Sequence, residues 1–340
     1  MIKKIIKAVN VVFGNFVRVQ SRLSFDEARK YLQEISPKPK GTCYTKNKLA
    51  IQYDLHIIIP AYNAEKYIKE CLKSVFIQVS EYSVLVTVVN DGSTDQTSII
   101  LENLKKLYKG SQIDIEIINQ DNKGYSGARN TALSFIRGKY IIFLDADDIL
   151  PQDTIEVMLD TAYEYDADIL QGSWYTFTNE EKKEYRVKES GRKTGSQGYI
   201  SGYPWGKLYK YSVLENFQFP DGYWFEDTPI SFILAALPFK CISIDNIVYG
   251  YRLNSEGITS KAVYSEKSID SYWITEQCLK EFPKFKVHYD QKAYEYLLQQ
   301  SIMNAWRIRK QKRKVRESEF VLITKLMDDY FKVFIQKMLI

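Results

Sequence analysis

The chain has 340 residues, of which 45% are hydrophobic and 26% charged, a balance that suits a soluble globular protein with a sizeable core. Its net charge of +5 is uneven, because residues 1–50 carry eleven Lys and Arg against three Asp and Glu, and residues 303–340 carry ten against four. No apolar run approaches the ~20 residues of a spanning helix, and four scattered cysteines with two histidines argue against zinc and for reduced cytoplasmic thiols.

Residues 1–50 are predicted to form a basic amphipathic helical extension followed by a linker. Apolar residues from Ile2 to Val17 recur at helical spacing, with the lysines mostly on other faces. Such a helix can pack on its own domain or lie on an anionic membrane surface, and both alternatives stay open. The prolines, glycine and lysines of residues 36–48 are typical of a linker.

Residues 51–150 alternate short apolar strands with amphipathic helices. The strand segments are DLHIIIP, YSVLVTVVND, IDIEIINQ and KYIIFLD. This alternation predicts an α/β fold with a mostly parallel sheet flanked by helices. Ligands of such sheets bind beyond the carboxyl ends of the strands, and four polar clusters fall there: PAYN, NDGSTD, NQDNKG and DADD. The sequence therefore predicts a binding site at this rim of the sheet.

The fourth strand segment runs directly into Asp145, Asp147 and Asp148. Asp145 and Asp147 are two positions apart, so they point to the same side if strand geometry persists. Carboxylates this close repel one another unless a hard cation joins them, and oxygen ligands suit Mg²⁺ or Mn²⁺. Capping of a helix near Pro151 is the competing explanation, but a cap uses one acid and not three. We therefore expect a divalent cation at this point.

The other clusters are consistent with a nucleotide site. Tyr62 in PAYN can stack on a planar base, and Asp91, which precedes its turn, can accept hydrogen bonds from the edge of a base. Residues 93–95 are better explained as an ordinary turn into the next helix, with Ser93 or Thr94 as its cap and Asp95 in its first turn. In NKGYSGARN, Gly124 allows a close backbone approach, and Arg129 lies near a helix N-terminus where a diphosphate can be held.

Together the four pieces resemble the inverting family 2 glycosyltransferases of the GT-A type found in bacterial polysaccharide and glycan assembly. The matching segments are IIIPAYNAEKYIKECLKSV, VNDGSTDQT, NKGYSGARN and FLDADDIL, in the family's order and spacing. The resemblance implies a GT-A domain over residues 51–260, with a nucleotide-binding half to residue 150 and an acceptor half from 151. Residues 261–340 would then form a C-terminal helical region. The implied donor is a nucleotide-sugar, usually a UDP-sugar, and the implied cofactor is Mn²⁺ or Mg²⁺.

The resemblance also implies roles for particular residues. The metal ligands would be Asp145 and Asp147, and the nucleotide would be held by Pro60, Ala61, Tyr62, Asn63, Glu65, Asp91, Lys123, Gly124, Arg129, Asp145 and Ala146. In FEDTPISF the resemblance makes Asp227 the base that deprotonates the acceptor hydroxyl, with Glu226 beside it. Candidate acceptor contacts are Trp205, Lys207, Tyr223 and Trp224. For Tyr223 and Trp224, packing in the core is an equal alternative. For Lys207, the alternative is an ordinary position on the surface.

The chain departs from the family in one respect, because many relatives supply a late histidine to the metal. After Asp227 only His288 is available, within a predicted helical tail, while Tyr251 and Arg252 occupy the corresponding neighbourhood. A processive membrane synthase would add transmembrane helices and a QxxRW signature, which QQSIMNAWRIRK does not supply. A nucleotidyltransferase would open with a GxGTR loop where this chain has PAYN.

The sequence thus predicts an inverting, cytoplasmic glycosyltransferase that moves a sugar from a UDP-sugar to a saccharide. The basic ends favour a lipid-linked glycan as the acceptor and a peripheral position on the inner face of the cell membrane. A protein-linked glycan and a non-catalytic subunit of this fold are the alternatives. No nucleic acid partner is expected, because no reader motif accompanies the basic run near residue 310.

Overall fold

The structure, a computed structural model, describes residues 23–187, 190–193, 200–254 and 264–338. The helix predicted for residues 1–20 therefore lies outside the described residues. The chain divides into two compact units. The sheet unit consists of residues 42–221 and 237–254, and the helical unit of residues 1–41, 222–236 and 255–340.

The helices and strands are named here in chain order. They are α1 (Phe25–Ile35), β1 (Lys48–Ala61), α2 (Ile68–Phe76), β2 (Val84–Asp91), α3 (Thr97–Leu107), β3 (Ile113–Gln120), α4 (Gly124–Leu133), β4 (Phe135–Phe143), α5 (Thr154–Tyr165), β5 (Ile169–Phe177), β6 (Lys182–Tyr185), β7 (Ser190–Lys193), β8 (Lys207–Lys210), α6 (Tyr211–Leu214), α7 (Thr228–Phe232), β9 (Cys241–Arg252), α8 (Asp270–Glu281), α9 (Gln291–Arg307) and α10 (Arg313–Met338). Short 3-10 turns follow α7, precede α8 and follow α8.

The described strands form one mixed sheet in the order β3–β2–β1–β4–β8–β5–β9–β7, with β6 also paired to β5. Strands β1 to β4 pair in parallel, whereas β8 runs antiparallel to both β4 and β5. The register pairs Ala61 with Asn90 and Asp91 with Gln120, so β1, β2 and β3 end level with one another. The predicted α/β fold with a central sheet flanked by helices is confirmed. The sheet is parallel, as predicted, across β1 to β4, but β6, β7 and β8 pair antiparallel with their neighbours, so the whole sheet is mixed rather than mostly parallel.

Burial of the central strands explains why their sequences read as continuous apolar runs. Ile57, Ile58 and Ile59 of β1 are completely buried, and every residue of β2 is buried. Strands covered on both faces need no polar side, so the period-2 alternation of a half-exposed strand is lost. This burial fixes the carboxyl ends of β1, β2 and β4 in place, and the polar clusters follow directly from them.

The helical unit contains α1, α7, α8, α9 and α10, together with the three short 3-10 turns named above. A capping box starts α1, in which the Ser24 N–H donates to Glu27 Oε2 (2.9 Å) and the Glu27 N–H donates to Ser24 Oγ (3.3 Å). The Arg29 guanidinium of α1 pairs with the buried Glu276 of α8 at 2.5 Å, and Lys38 pairs with the same carboxylate at 2.7 Å. Within the described part of the chain, no helix combines the length and apolar character that crossing a bilayer requires.

Two buried acids of the helical unit differ in whether hydrogen bonds from cationic side chains offset the cost of burying their charge. Although burial opposes ionisation of Glu276, hydrogen bonds from Arg29 and Lys38 outweigh it and lower the pKa of Glu276 to about 2. Glu319 of α10 is completely buried, and neither of its carboxylate oxygens has a hydrogen-bond partner among the described residues. Burial raises the pKa of Glu319 to about 8, against the opposing positive charge of Arg307. Glu319 is therefore protonated at neutral pH.

Folding stability should consequently depend on the proton of Glu319. The unfolded chain releases this proton near pH 4.5 and the folded chain near pH 8, so the unfolding free energy falls as the pH rises between these values. Glu319→Gln cannot ionise and should flatten this dependence, raising the unfolding free energy at about pH 8 by roughly 1–4 kcal/mol. Urea titrations across this range provide the measurement, with Glu317→Gln on the same helix as the control. Equal slopes in wild type and Glu319→Gln would contradict the expectation.

Candidate active site

The loops that follow β1 and β2 are locked together at the rim of the sheet. Asn63, at a positive φ of 48°, donates its backbone N–H to Ser93 Oγ (3.0 Å), and its side-chain Oδ1 accepts the N–H of Thr94 (2.8 Å). The interpretation of Ser93 as a helix cap is therefore wrong, because its hydroxyl serves the neighbouring loop. Beside this junction the Tyr62 ring is 47% exposed. Its predicted stacking on a base stays a prediction.

Glu65 makes a second, reciprocal link between the same loops. Its N–H donates to Asp95 Oδ2 (3.1 Å), and its own carboxylate accepts the N–H of Gln96 (2.9 Å). Asp95 also accepts the N–H of Thr97 at the start of α3 (2.9 Å). The side chains of Asn63 and Glu65, predicted to contact a nucleotide, thus hold the second loop in position. Any contact with a ligand would be additional to this role.

Asp91 ends β2 and ties the third loop to the sheet. It is buried, and its Oδ1 accepts hydrogen bonds from Gln120 Nε2 (2.7 Å) and from the Lys123 N–H (2.8 Å). The next residue, Gly124, begins α4 at φ 75°, a conformation that favours glycine. Because Oδ1 already accepts these two hydrogen bonds from the protein, Asp91 would use Oδ2 to accept a hydrogen bond from the edge of a base.

Arg129 contacts the acidic loop, the segment after β4 that carries Asp145, Asp147 and Asp148. Its side chain is buried, its Nη2 donates to Asp145 Oδ1 (2.7 Å), and its guanidinium lies 5.2 Å from the ring centre of Phe219. Because the pair is partly desolvated, the guanidinium balances part of the charge that the acids concentrate there. Arg129 is therefore placed beside a predicted metal ligand, and its predicted approach to a diphosphate stays a prediction.

The three acids after β4 have different surroundings. Asp148 is completely enclosed, its Oδ2 accepts the Tyr249 hydroxyl (2.7 Å), and its Oδ1 accepts the Arg252 N–H (2.7 Å). The Tyr249 hydroxyl oxygen in turn accepts the N–H of Asp145 (3.2 Å). Burial, with the nearby charges of Asp145 and Asp147, raises the pKa of Asp148 well above its usual range. Asp148 therefore anchors the loop to β9 and is not grouped with the other two acids.

Asp145 and Asp147 are the two acids that could hold a cation. The Asp145 side chain is 26% exposed, and burial together with the charge of Asp145 raises the pKa of Asp147. A divalent cation would remove that repulsion, and two carboxylates suit Mg²⁺ or Mn²⁺, which accept water and phosphate oxygens at their other positions. Among the described residues, no three His, Cys, Asp or Glu side chains are grouped as metal ligands, so the chain offers two carboxylates at this point.

Arg252 braces the acidic loop from the end of β9. Its Nε donates to the backbone carbonyl of Asp147 (2.8 Å), and its Nη2 donates to Glu70 of α2 (2.6 Å). The guanidinium also lies over the rings of Tyr67 and Phe177, at 5.0 Å and 4.4 Å. The sequence placed Arg252 in the neighbourhood where relatives supply a histidine but gave it no role. The structure shows that it carries a positive charge to the backbone of Asp147.

Two of the predicted acceptor contacts in the sheet unit are wrong. Trp205 is buried between the stacked rings of Tyr203 and Tyr249, at centroid distances of 4.6 Å and 4.7 Å, so neither face is open to a sugar. Lys207 is buried rather than exposed, and its ammonium donates to Ser201 Oγ and to the Tyr203 carbonyl, both at 2.6 Å. Tyr203, which no sequence motif marks, ends this ring stack and is 46% exposed.

Glu226 and Asp227 belong to the helical unit and directly precede α7. Both are half-buried, and Asp227 occupies the N-cap position without a capping hydrogen bond from its side chain. Tyr223 is buried and donates its hydroxyl to the Pro39 carbonyl (3.0 Å), so core packing is the correct alternative for this residue. Trp224 is half-buried, and its predicted contact with the acceptor stays a prediction.

The family model and the curated relatives that match the chain all describe glycosyltransferases. The model of the family described as "Glycosyl transferase family 2" matches residues 56–225. The chain is 32% identical over 232 residues to glycosyltransferase GlyA of Streptococcus pneumoniae, covering 62% of this chain and 32% of GlyA. It is 26% identical over 222 residues to GlyG of the same organism, covering 60% of this chain and 72% of GlyG. The chain thus spans about a third of GlyA but most of GlyG.

Solved structures share the fold at low sequence identity. Residues 1–349 of TarS from S. aureus give a TM-score of 0.53 at 18% identity, covering 82% of this chain and 93% of that one. The mannosyltransferase PcManGT from Pyrobaculum calidifontis, solved with GDP-Man and Mn²⁺, gives 0.53 at 15% identity, covering 96% and 92%. These similarities confirm the predicted GT-A type of fold.

Removing the Tyr249 hydroxyl should loosen the acidic loop. In Tyr249→Phe, the Asp145 N–H loses its acceptor and the buried Asp148 loses one donor, which together should lower the unfolding free energy by about 1–3 kcal/mol. Urea unfolding measures this change, with Tyr264→Phe, at an exposed position in the helical unit, as the matched control. Equal stability of the two variants would show that the hydroxyl does not hold the loop.

Proposed function

Because the chain belongs to glycosyl transferase family 2, we propose that it transfers a sugar from a nucleotide-sugar to a saccharide acceptor. The family resemblance expected from the sequence is confirmed by this match. The observation that carries the proposal is the acidic loop after β4, in which Asp145 and Asp147 are kept half-exposed while Asp148, Tyr249 and Arg252 fix their backbone. Such fixed carboxylates suit a cation bound to a diphosphate.

The donor we propose is a UDP-sugar. The exposed ring of Tyr62 would stack on the base, Asp91 would accept a hydrogen bond from its edge, and the rim between the locked loops would receive the diphosphate. Asp145 and Asp147 would hold Mn²⁺ or Mg²⁺, which when bound supplies positive charge to the phosphate oxygens. Arg129, already paired with Asp145, would add a second positive charge near the leaving group.

The reaction we propose is a single displacement at the anomeric carbon. A sugar hydroxyl is a weak nucleophile, so Asp227 would take its proton as the acceptor oxygen bonds to the anomeric carbon. The bond from that carbon to the phosphate oxygen breaks at the same time, and the nucleoside diphosphate leaves with the electron pair. Attack opposite the leaving group inverts the anomeric centre without a covalent enzyme intermediate. Glu226 would lie beside the base without carrying the proton.

A lipid-linked glycan is the acceptor we propose, with the protein at the inner surface of the cell membrane. The support is the excess of Lys and Arg at both ends of the chain, which would attract anionic headgroups. The exposed ring of Tyr203 is a candidate platform for the acceptor sugar. A protein-linked glycan would suit the same chemistry without needing the membrane.

Turnover should depend on Asp227 more than on its neighbour. Loss of a positioned base costs roughly 10²–10⁴-fold in rate, so Asp227→Asn should lower kcat by that factor while donor KM changes little. A screen of UDP-glucose, UDP-galactose, their N-acetyl forms and GDP-mannose, monitored by nucleoside diphosphate release, identifies the donor first. Glu226→Gln is the matched control and should retain most activity. Full turnover by Asp227→Asn would exclude this residue as the base.

Membrane association should depend on the N-terminal segment. Deletion of residues 1–20 removes a cluster of Lys and apolar residues, so the shortened chain should stay in the soluble fraction while the full chain floats with vesicles rich in anionic lipid. Neutral vesicles are the control, and added salt should weaken the association of the full chain. Equal recovery of both chains in the soluble fraction would argue against this part of the proposal.

A further inference from the structure

The short loop that carries Glu226 and Asp227 has a conformation that its own sequence does not favour. Phe225, immediately before the two acids, has φ of 64°, and it is the only aromatic residue with a positive φ in the part of the chain that the structure describes. A bulky L-residue in this region costs on the order of 1–3 kcal/mol and persists only where surrounding contacts impose it. The loop must therefore be held by other elements of the helical unit.

Arg307, the last residue of α9, supplies one of these contacts. Its guanidinium carbon lies 3.7 Å from the centre of the Phe225 ring, a close cation–π arrangement. The same guanidinium is held by a hydrogen bond, because its Nη1 donates to the Oγ of the buried Ser271 in α8 (2.8 Å). Ser271 in turn donates to the buried Asn304, whose amide donates to Thr275 (3.1 Å). The cation on the Phe225 ring is thus fixed by a buried polar network.

The residue before Ser271 holds the backbone of the same loop. Asp270, completely buried at the start of α8, accepts the Trp224 N–H at 3.0 Å and the Ser36 hydroxyl at 3.2 Å. On the other side, the Thr228 N–H donates to the Phe225 carbonyl (3.0 Å), which leads the chain into α7. Consecutive residues of α8 therefore restrain Trp224 through its backbone and Phe225 through Arg307.

We propose that Arg307 is a positioning residue for the catalytic-base loop, acting through the Phe225 ring to aim Glu226 and Asp227. This inference rests on the proposed function, in which Asp227 takes the acceptor proton. It gives a role to one arginine of the basic segment NAWRIRKQKRKVRE. A misplaced base affects the chemical step and leaves donor binding unchanged, because the predicted donor ligands belong to the other unit.

Arg307→Met tests this role, since methionine keeps an apolar stem and removes the guanidinium. Arg309→Met is the matched control, because Arg309 makes the same contact, 3.7 Å over Trp306, at an exposed position, and its Nη1 donates to the Trp306 carbonyl. We expect Arg307→Met to lower kcat by roughly 10–100-fold with donor KM within about twofold, as for a small displacement of a catalytic group. Hydrogen exchange in peptides covering residues 222–230 should be faster in Arg307→Met and unchanged in Arg309→Met.

A second comparison tests whether the effect passes through the ring. Phe225→Leu removes the aromatic face, so adding Arg307→Met to it should lower kcat by much less than Arg307→Met does in wild type. Arg307→Lys, which keeps the charge, should recover part of kcat. The inference would be overturned if Arg307→Met matched Arg309→Met in kcat, or if kcat fell without faster exchange in the loop. If no protein turned over any donor, the proposed function would fail, but the exchange comparison would still decide whether Arg307 holds the loop.

Discussion

The repulsion among three carboxylates within four positions is the constraint on which the site depends. Asp148 is turned inward, where Tyr249 and the Arg252 backbone hydrogen-bond it and burial favours its neutral form. Asp145 is paired with Arg129. At Asp147, the neighbouring Arg252 donates its Nε to the backbone carbonyl and not to the carboxylate. The remaining negative charge is concentrated on the pair that the family resemblance assigns to a metal.

Rigidity of the rim comes from contacts between loops that are distant in sequence. The loops after β1 and β2 are joined by the bonds of Asn63 and Glu65, and Asp91 ties the start of α4 to the sheet. The loops after β1 and β2 begin at buried strand ends, so strand burial and loop bonding act together to keep the ligand groups in fixed positions. Preorganisation of this kind lowers the cost of ordering the site when a charged donor binds.

The sequence predicts the sheet and its polar rim because the information is local. Apolar runs mark β1, β2 and β4, turn residues mark their ends, and parallel topology brings those ends to one edge. It does not reveal that Asp148 turns inward, because its partners Tyr249 and Arg252 lie about a hundred positions later on β9. The site roles therefore follow from the local motifs, while the contacts that fix them follow only from the sheet order.

Burial is the other property that the sequence does not supply. Lys207 reads as a surface residue, yet loop carbonyls and a hydroxyl enclose its ammonium. Trp205 reads as a sugar platform, yet neighbouring rings cover both faces. Residues 222–236, which carry Glu226 and Asp227, join the helical unit although sheet-unit segments flank them in sequence. Each outcome depends on long-range packing that periodicity and motif spacing do not encode.

The most direct test of a cation-dependent diphosphate site is calorimetric titration of UDP with Mn²⁺ and, separately, with a chelator. We expect the wild type to bind UDP at least roughly tenfold more tightly with Mn²⁺, a difference of about 1.4 kcal/mol. Asp147→Asn should lose this difference, whereas Asp245→Asn, an exposed acid paired with Arg186, should keep it. Equal UDP affinity of the wild type with and without Mn²⁺ would contradict the role given to Asp145 and Asp147.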